Sequence, residues 1–221
     1  MSGHSARAPM HDAVRIPPLG LPGSLDIPAE ATGVVVFAHG SGSSRLSPRN
    51  VYVAKALREA GLGTLLFDLL SEEEEAVRAH VFDIDLLADR LSAAAEWLTS
   101  LPALDGLSLG LFGASTGAAA ALVAASRTDI YGAIVSRGGR PDLAGEALPL
   151  VAAPTLLIVG GHDQEVLSLN REALAKLRCT KELKVVPGAT HLFEEPGTLD
   201  QVIELARAWF LRHLPRTEKR P

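Results

Sequence analysis

An apolar run, Leu107 to Phe112, stops at Gly113, and an alanine-rich segment follows over about Thr116–Ser126. The first reads as a short buried strand and the second as a helix. Between them stands Gly113-Ala-Ser115-Thr-Gly117, a G-x-S-x-G in the strand–turn–helix context that a nucleophile elbow needs. The reason is steric. A serine at the apex of so tight a turn holds its hydroxyl clear of the sheet, and bulky side chains two positions to either side would collide. The backbone N–H of Thr116 then lies at a helix N-terminus, free to donate to a developing oxyanion with help from the helix dipole. The competing reading is a glycine-rich turn without chemistry, and only the surroundings of the pentapeptide argue against it.

Those surroundings repeat the same order of elements. Two short extended pieces near Val14–Ile16 and Ser24–Ile27, split by Pro17, Pro18 and Pro22, read as edge strands at best. Gly33–Ala38 is a continuous β-branched run, hence a strand buried on both faces. It leads into His39-Gly-Ser-Gly-Ser-Ser-Arg45, then a helix with Ser47 as N-cap, Pro48 at its first position and Gly61 at its close. Further strands are expected at Gly63–Phe67, Ile130–Val135, Pro154–Val159 and Leu183–Val186. Helical spacing recurs from Ile84 to Leu98, from Val166 to Leu177 and from Asp200 to Leu214. Alternation of this kind predicts an α/β fold: a doubly wound, mostly parallel sheet of about six to eight strands with helices on both faces. The connection after the fourth long strand is too short for a large lid, so an open site is expected. The acidic run Ser71–Glu75 reads as solvated surface.

A single α/β domain is expected over 13–214, between an irregular tail at 1–12 and a frayed, charged end at 215–221. Net charge is −5 with no basic stripe, which argues against nucleic acid as a partner. No run of about 18 apolar residues suggests a membrane span, and the first residues lack the apolar core of a secretory signal. The single cysteine, Cys179, excludes an internal disulfide and suits a cytoplasmic location. Nothing in the composition chooses between a monomer and a homodimer.

In such sheets, sites form at the carboxyl ends of the strands. Four clusters fall there: His39–Arg45, Ser115, His162–Asp163 and His191. A serine nucleophile needs a base to take its proton and an acid to orient that base. The chain order Ser115, Asp163, His191 is the order that goes with an elbow serine. Asp68, which also ends a strand, is the rival acid. His162 is expected to be exposed. A metal site from His162, Asp163, His191 and Glu194 lacks any ligand spacing motif, so neither metal nor cofactor is expected. The His39-Gly-Ser-Gly stretch suits the other half of an oxyanion hole, with the Ser41 N–H as donor and glycines that let the backbone approach. A phosphate-binding loop is the rival there, without either of its glycine signatures. Arg45, Arg137 and Arg140 sit in predicted loops at the same edge. They read either as forks for an anionic substrate group or as braces for glycine-rich loops.

Taken together, His39-Gly-Ser-Gly, the Gly113–Gly117 elbow, Gly161-His-Asp163 and Gly188-Ala-Thr-His191 resemble the α/β-hydrolases, in their small, lidless dienelactone-hydrolase-like branch. The resemblance covers about residues 30–214. It implies Ser115 as nucleophile, His191 as general base and acid, and Asp163 as the orienting carboxylate. Dienelactone hydrolases themselves carry cysteine at the elbow, so the serine here points to a more general ester hydrolase working through an acyl-enzyme on a small ester or acyl substrate. The same three residues would serve a thioesterase, lactonase or amidase/peptidase, or persist in a silent binding module.

Overall fold

A computed structural model describes residues 8–215, so Met1–Arg7 of the expected N-terminal tail and Arg216–Pro221 of the C-terminal one lie outside the described residues. Eight strands form one sheet in the order β1-β2-β4-β3-β5-β6-β7-β8. β1 (Met10–Ile16) and β2 (Leu21–Ile27) make an antiparallel hairpin, and β2 pairs antiparallel with β4 (Gly63–Phe67). All other pairs are parallel, through β3 (Gly33–Ala38), β5 (Ser108–Ala114), β6 (Tyr131–Arg137), β7 (Thr155–Gly160) and β8 (Lys181–Val186).

Two sequence expectations differ here. β1 starts at Met10, inside the stretch read as irregular, because pairing with Ile27 at the far end of β2 gives even its polar residues backbone partners. β2 is internal rather than an edge. Pro22 is tolerated because it lies at the strand's start, where its carbonyl accepts from the Asp68 N–H.

The helices are α1 (Pro48–Glu59), two short ones, α2 (Glu72–Glu75) and α3 (Arg78–Val81), then α4 (Ile84–Ser100), α5 (Thr116–Ser126), α6 (Gln164–Lys176) and α7 (Thr198–His213). Alternate residues of β3 serve opposite faces. Val34 and Val36 join the cluster under α4 and α5, while Val35 and Phe37 join that under α1 and α7. The alanine-rich α5 is buried from Thr116 to Ala125, since only small side chains let a helix lie so close to a sheet. β8, at the edge, carries Lys181, Glu182 and Lys184, charges that discourage pairing with another chain. The acidic run forms α2, closed by a capping box between Ser71 and Glu74, and Glu74 is paired with Arg90. No helix among the described residues is long and apolar enough to cross a membrane.

Candidate active site

The parallel strands all end at one rim, and the expected residues collect there. β5 runs to Ala114, and α5 begins at Thr116. Ser115 alone makes the turn, at φ 51° and ψ −123°. That backbone is sparsely populated for a side-chain-bearing residue and costs about 1–3 kcal/mol. Three hydrogen bonds hold it. The Ser115 N–H donates to the Arg137 carbonyl at 3.4 Å, and the Ser115 carbonyl accepts from Ala118 at 3.1 Å and from Arg140 at 3.0 Å. The elbow glycines are required by contact rather than by flexibility. A Cβ on Gly113 would run into the backbone of Ala118, and one on Gly117 would stand 2.6 Å from the His39 carbonyl oxygen. Gly40 approaches from the other side, where an added Cβ would lie 2.9 Å from that of Ser115.

Asp163 follows β7 and His191 follows β8. Gly160 lets the two connections meet, because a Cβ there would stand 2.6 Å from the Thr190 carbonyl oxygen. His191 Nδ1 donates to Asp163 Oδ2 at 2.7 Å. An ionised carboxylate only accepts, so Nδ1 carries the proton and Nε2 is left as the open acceptor. Ser115 and His191 line one open cleft of about 550 Å³. The loop that carries His191 is pinned by buried Phe193, itself at φ 56°. Asp68, the rival acid, is taken up elsewhere: it accepts from the Arg45 N–H at 2.7 Å and from Arg45 Nη1 at 3.3 Å. His162 is exposed.

The Ser41 N–H, expected as an oxyanion donor, donates to Thr116 Oγ1 at 3.0 Å. The residue after the elbow serine is unspecified in the motif, and here its hydroxyl bridges the two loops. The Thr116 N–H itself has no acceptor among the described residues.

His39 braces the same loop from behind. Its Nδ1 donates to the Gly40 carbonyl at 3.1 Å, and its Nε2 accepts from the Leu69 N–H at 3.1 Å. Burial pushes its pKa below the ordinary value. Behind it lies a small pocket of about 20 Å³, lined by Leu69, Leu70, Val81 and Glu75, that does not include Ser115.

The three arginines separate sharply. Arg45 is held by Asp68, and Arg140 grips Asp142 with two bonds, from Nε at 2.9 Å and Nη2 at 2.8 Å. Both therefore brace loops. Arg137 is not in a loop at all: β6 runs through it, and it is only 6% exposed. Its Nη2 donates to Asn50 Oδ1 at 3.1 Å, and its Nε has no partner among the described residues. Burial, with Arg49 adding like-charge repulsion, pushes its pKa down to about 10, so it remains charged at neutral pH. Arg49 and Asn50 line the cleft beside Ser115, and sequence reasoning missed both. One signal was present: Arg49 is a cation in the first turn of α1, where the helix dipole favours anions.

Residues 22–209 match the family model described as the dienelactone hydrolase family. A solved dienelactone hydrolase from Anabaena variabilis is 55% identical, superposes with a TM-score of 0.89, and is matched over 93% of this chain and 99% of that one. A lidless α/β serine hydrolase from Xanthomonas campestris is 25% identical with a TM-score of 0.75, over 95% of this chain and 97% of that one. Curated relatives from two strains of Mycobacterium tuberculosis are 60% identical over 89% of this chain. Their name assigns them provisionally to the phosphoribosyl transferases, and the chain spans about half (45%) of their length.

Proposed function

The chain belongs to the dienelactone hydrolase family, and from that membership we propose that it is a serine hydrolase that cleaves small esters through an acyl-enzyme on Ser115. The observation that carries the reading is the convergence at one cleft of a strained serine, clear of its sheet, and a histidine whose far nitrogen is held by a partly buried carboxylate. His191 Nε2 takes the Ser115 proton as Oγ attacks the ester carbonyl. The C–O bond to the alcohol breaks as His191 returns that proton to the leaving oxygen. Water, deprotonated by His191, then releases the acid and restores Ser115. Asp163 keeps the imidazole in the required tautomer and stabilises the imidazolium. The Thr116 N–H is the first oxyanion donor. The Ser41 N–H is the second, reached when its hydrogen bond passes from Thr116 Oγ1 to the substrate oxygen.

Phosphoribosyl transfer, named for the M. tuberculosis relatives, we assign to the part of those longer proteins outside this match, since the hydrolase family model accounts for residues 22–209 here. The test is intact-mass analysis after a fluorophosphonate probe. One adduct on the native chain and none on Ser115→Ala is expected. A folded native chain that takes no adduct sinks the proposal.

A further inference from the structure

One corner of the cleft has charge without compensation. Arg137 is nine-tenths buried, yet no carboxylate among the described residues pairs with it. Its one bond goes to a neutral amide, Asn50, itself 2% exposed. Because a guanidinium offers only donors, Asn50 must turn its oxygen to Arg137, which leaves its amide nitrogen as a further donor. Arg49 adds a second guanidinium. Its Nη1 meets Glu194, on the exposed side, at 3.1 Å, while its buried Nε has no partner among the described residues. The first turn of α1 points into the same corner. Pro48 has no N–H, the Asn50 N–H goes to Ser47, and the Arg49 amide has no acceptor among the described residues. A fold that buries an unpaired arginine carries a desolvation penalty with nothing of its own to offset it. That arrangement is intelligible where a ligand supplies the anion.

We infer that Arg137, Asn50 and Arg49 form an oxyanion subsite beside Ser115, and that it takes a phosphate-type group carried by the ester substrate. The donors favour phosphate over carboxylate. A carboxylate has two oxygens in one plane and is served by a single guanidinium fork. Here Arg137 on β6 and Arg49 and Asn50 on α1 all line the cleft, so donors are offered from two elements, which suits a tetrahedral group with three terminal oxygens. The bracing arginines, Arg45 and Arg140, already have their carboxylates and stand outside this subsite. The inference rests on the hydrolase reading for its substrate, but the subsite itself can be tested without turnover.

The binding arm uses Ser115→Ala protein and inorganic phosphate at constant ionic strength, with chloride and glutarate as comparisons. Phosphate is expected to raise Tm by several degrees and to bind with a millimolar Kd by calorimetry. Adding Arg137→Met is expected to abolish the shift without lowering Tm in chloride, since an unpaired buried charge is removed; Arg49→Gln should weaken binding about tenfold. The turnover arm compares 1-butyrylglycerol 3-phosphate with monobutyrin on the otherwise native chain. The ratio of their kcat/KM values is expected to fall at least tenfold in Arg137→Met and to hold in Arg140→Ala. No phosphate shift, a shift that survives Arg137→Met, or an equal response to glutarate overturns the inference. A phosphate response that depends on Arg137 in a protein that takes no fluorophosphonate adduct would retain the subsite and refute the hydrolase reading.

Discussion

The elbow and the arginine corner stand side by side in one cleft and are built on opposite rules. At the elbow every space is filled and the strained backbone is clamped: glycines stand where a methyl would strike backbone, and both backbone groups of Ser115 are bonded. At the corner, donors on Arg137 and Arg49 are left without partners in a buried setting. The contrast teaches where each kind of information sits. Geometry that must exist before substrate arrives is held by protein contacts, as pre-organised catalysis requires. Recognition is held by groups whose partner is absent from the protein.

The sharpest way to break the comparison is at the histidine's support. Asp163→Asn keeps the shape but lets His191 present the wrong nitrogen, so kcat should fall by about 10⁴-fold with little change in Tm. Ester turnover within tenfold of the native rate would take Asp163 out of the machinery. Next is the packing of the elbow. Gly117→Ala drives a methyl against the Ala38 and His39 carbonyls and should destabilise the chain by about 3 kcal/mol, read by urea unfolding. A loss of a few tenths would mean that the two loops are not clamped.

The smallest effect concerns His39, whose nitrogens are both engaged, one by the Gly40 carbonyl and one by the Leu69 N–H. Its folded pKa lies below the ordinary 6.5, so the unfolded chain takes up the proton more readily. Its contribution is therefore intact above about pH 6.5 and is lost as pH falls through that value toward the folded pKa. Tm should decline over that window, and less so in His39→Gln. Parallel Tm–pH curves for the two proteins would show that His39 is not the titrating group.

Most of the architecture could be read from local pattern. The β-branched run at Gly33–Ala38, the Ser47-Pro48 start of α1 and the bounds of α5 need only near neighbours to specify them. Where the reading failed, the missing information was non-local. β1 begins at Met10 only because β2 offers it a partner, and β2 becomes internal only because β4 pairs with its other side. The arginines fail in the same way. Arg45, Arg137 and Arg140 look alike as loop cations, and what separates them is Asp68, Asn50 and Asp142, of which only Asp142 is a sequence neighbour.

The sequence by itself determined the strand–turn–helix at Ser115, the alternation that builds the sheet, and the order Ser115, Asp163, His191, because each rests on the stereochemistry of adjacent residues or on period. The tertiary structure alone decided that Gly160 brings Asp163 to His191, that Thr116 occupies the Ser41 N–H, and that Arg137 is buried without a counter-charge. Burial and partnership depend on which distant segments pack together, and no spacing along the chain encodes them directly.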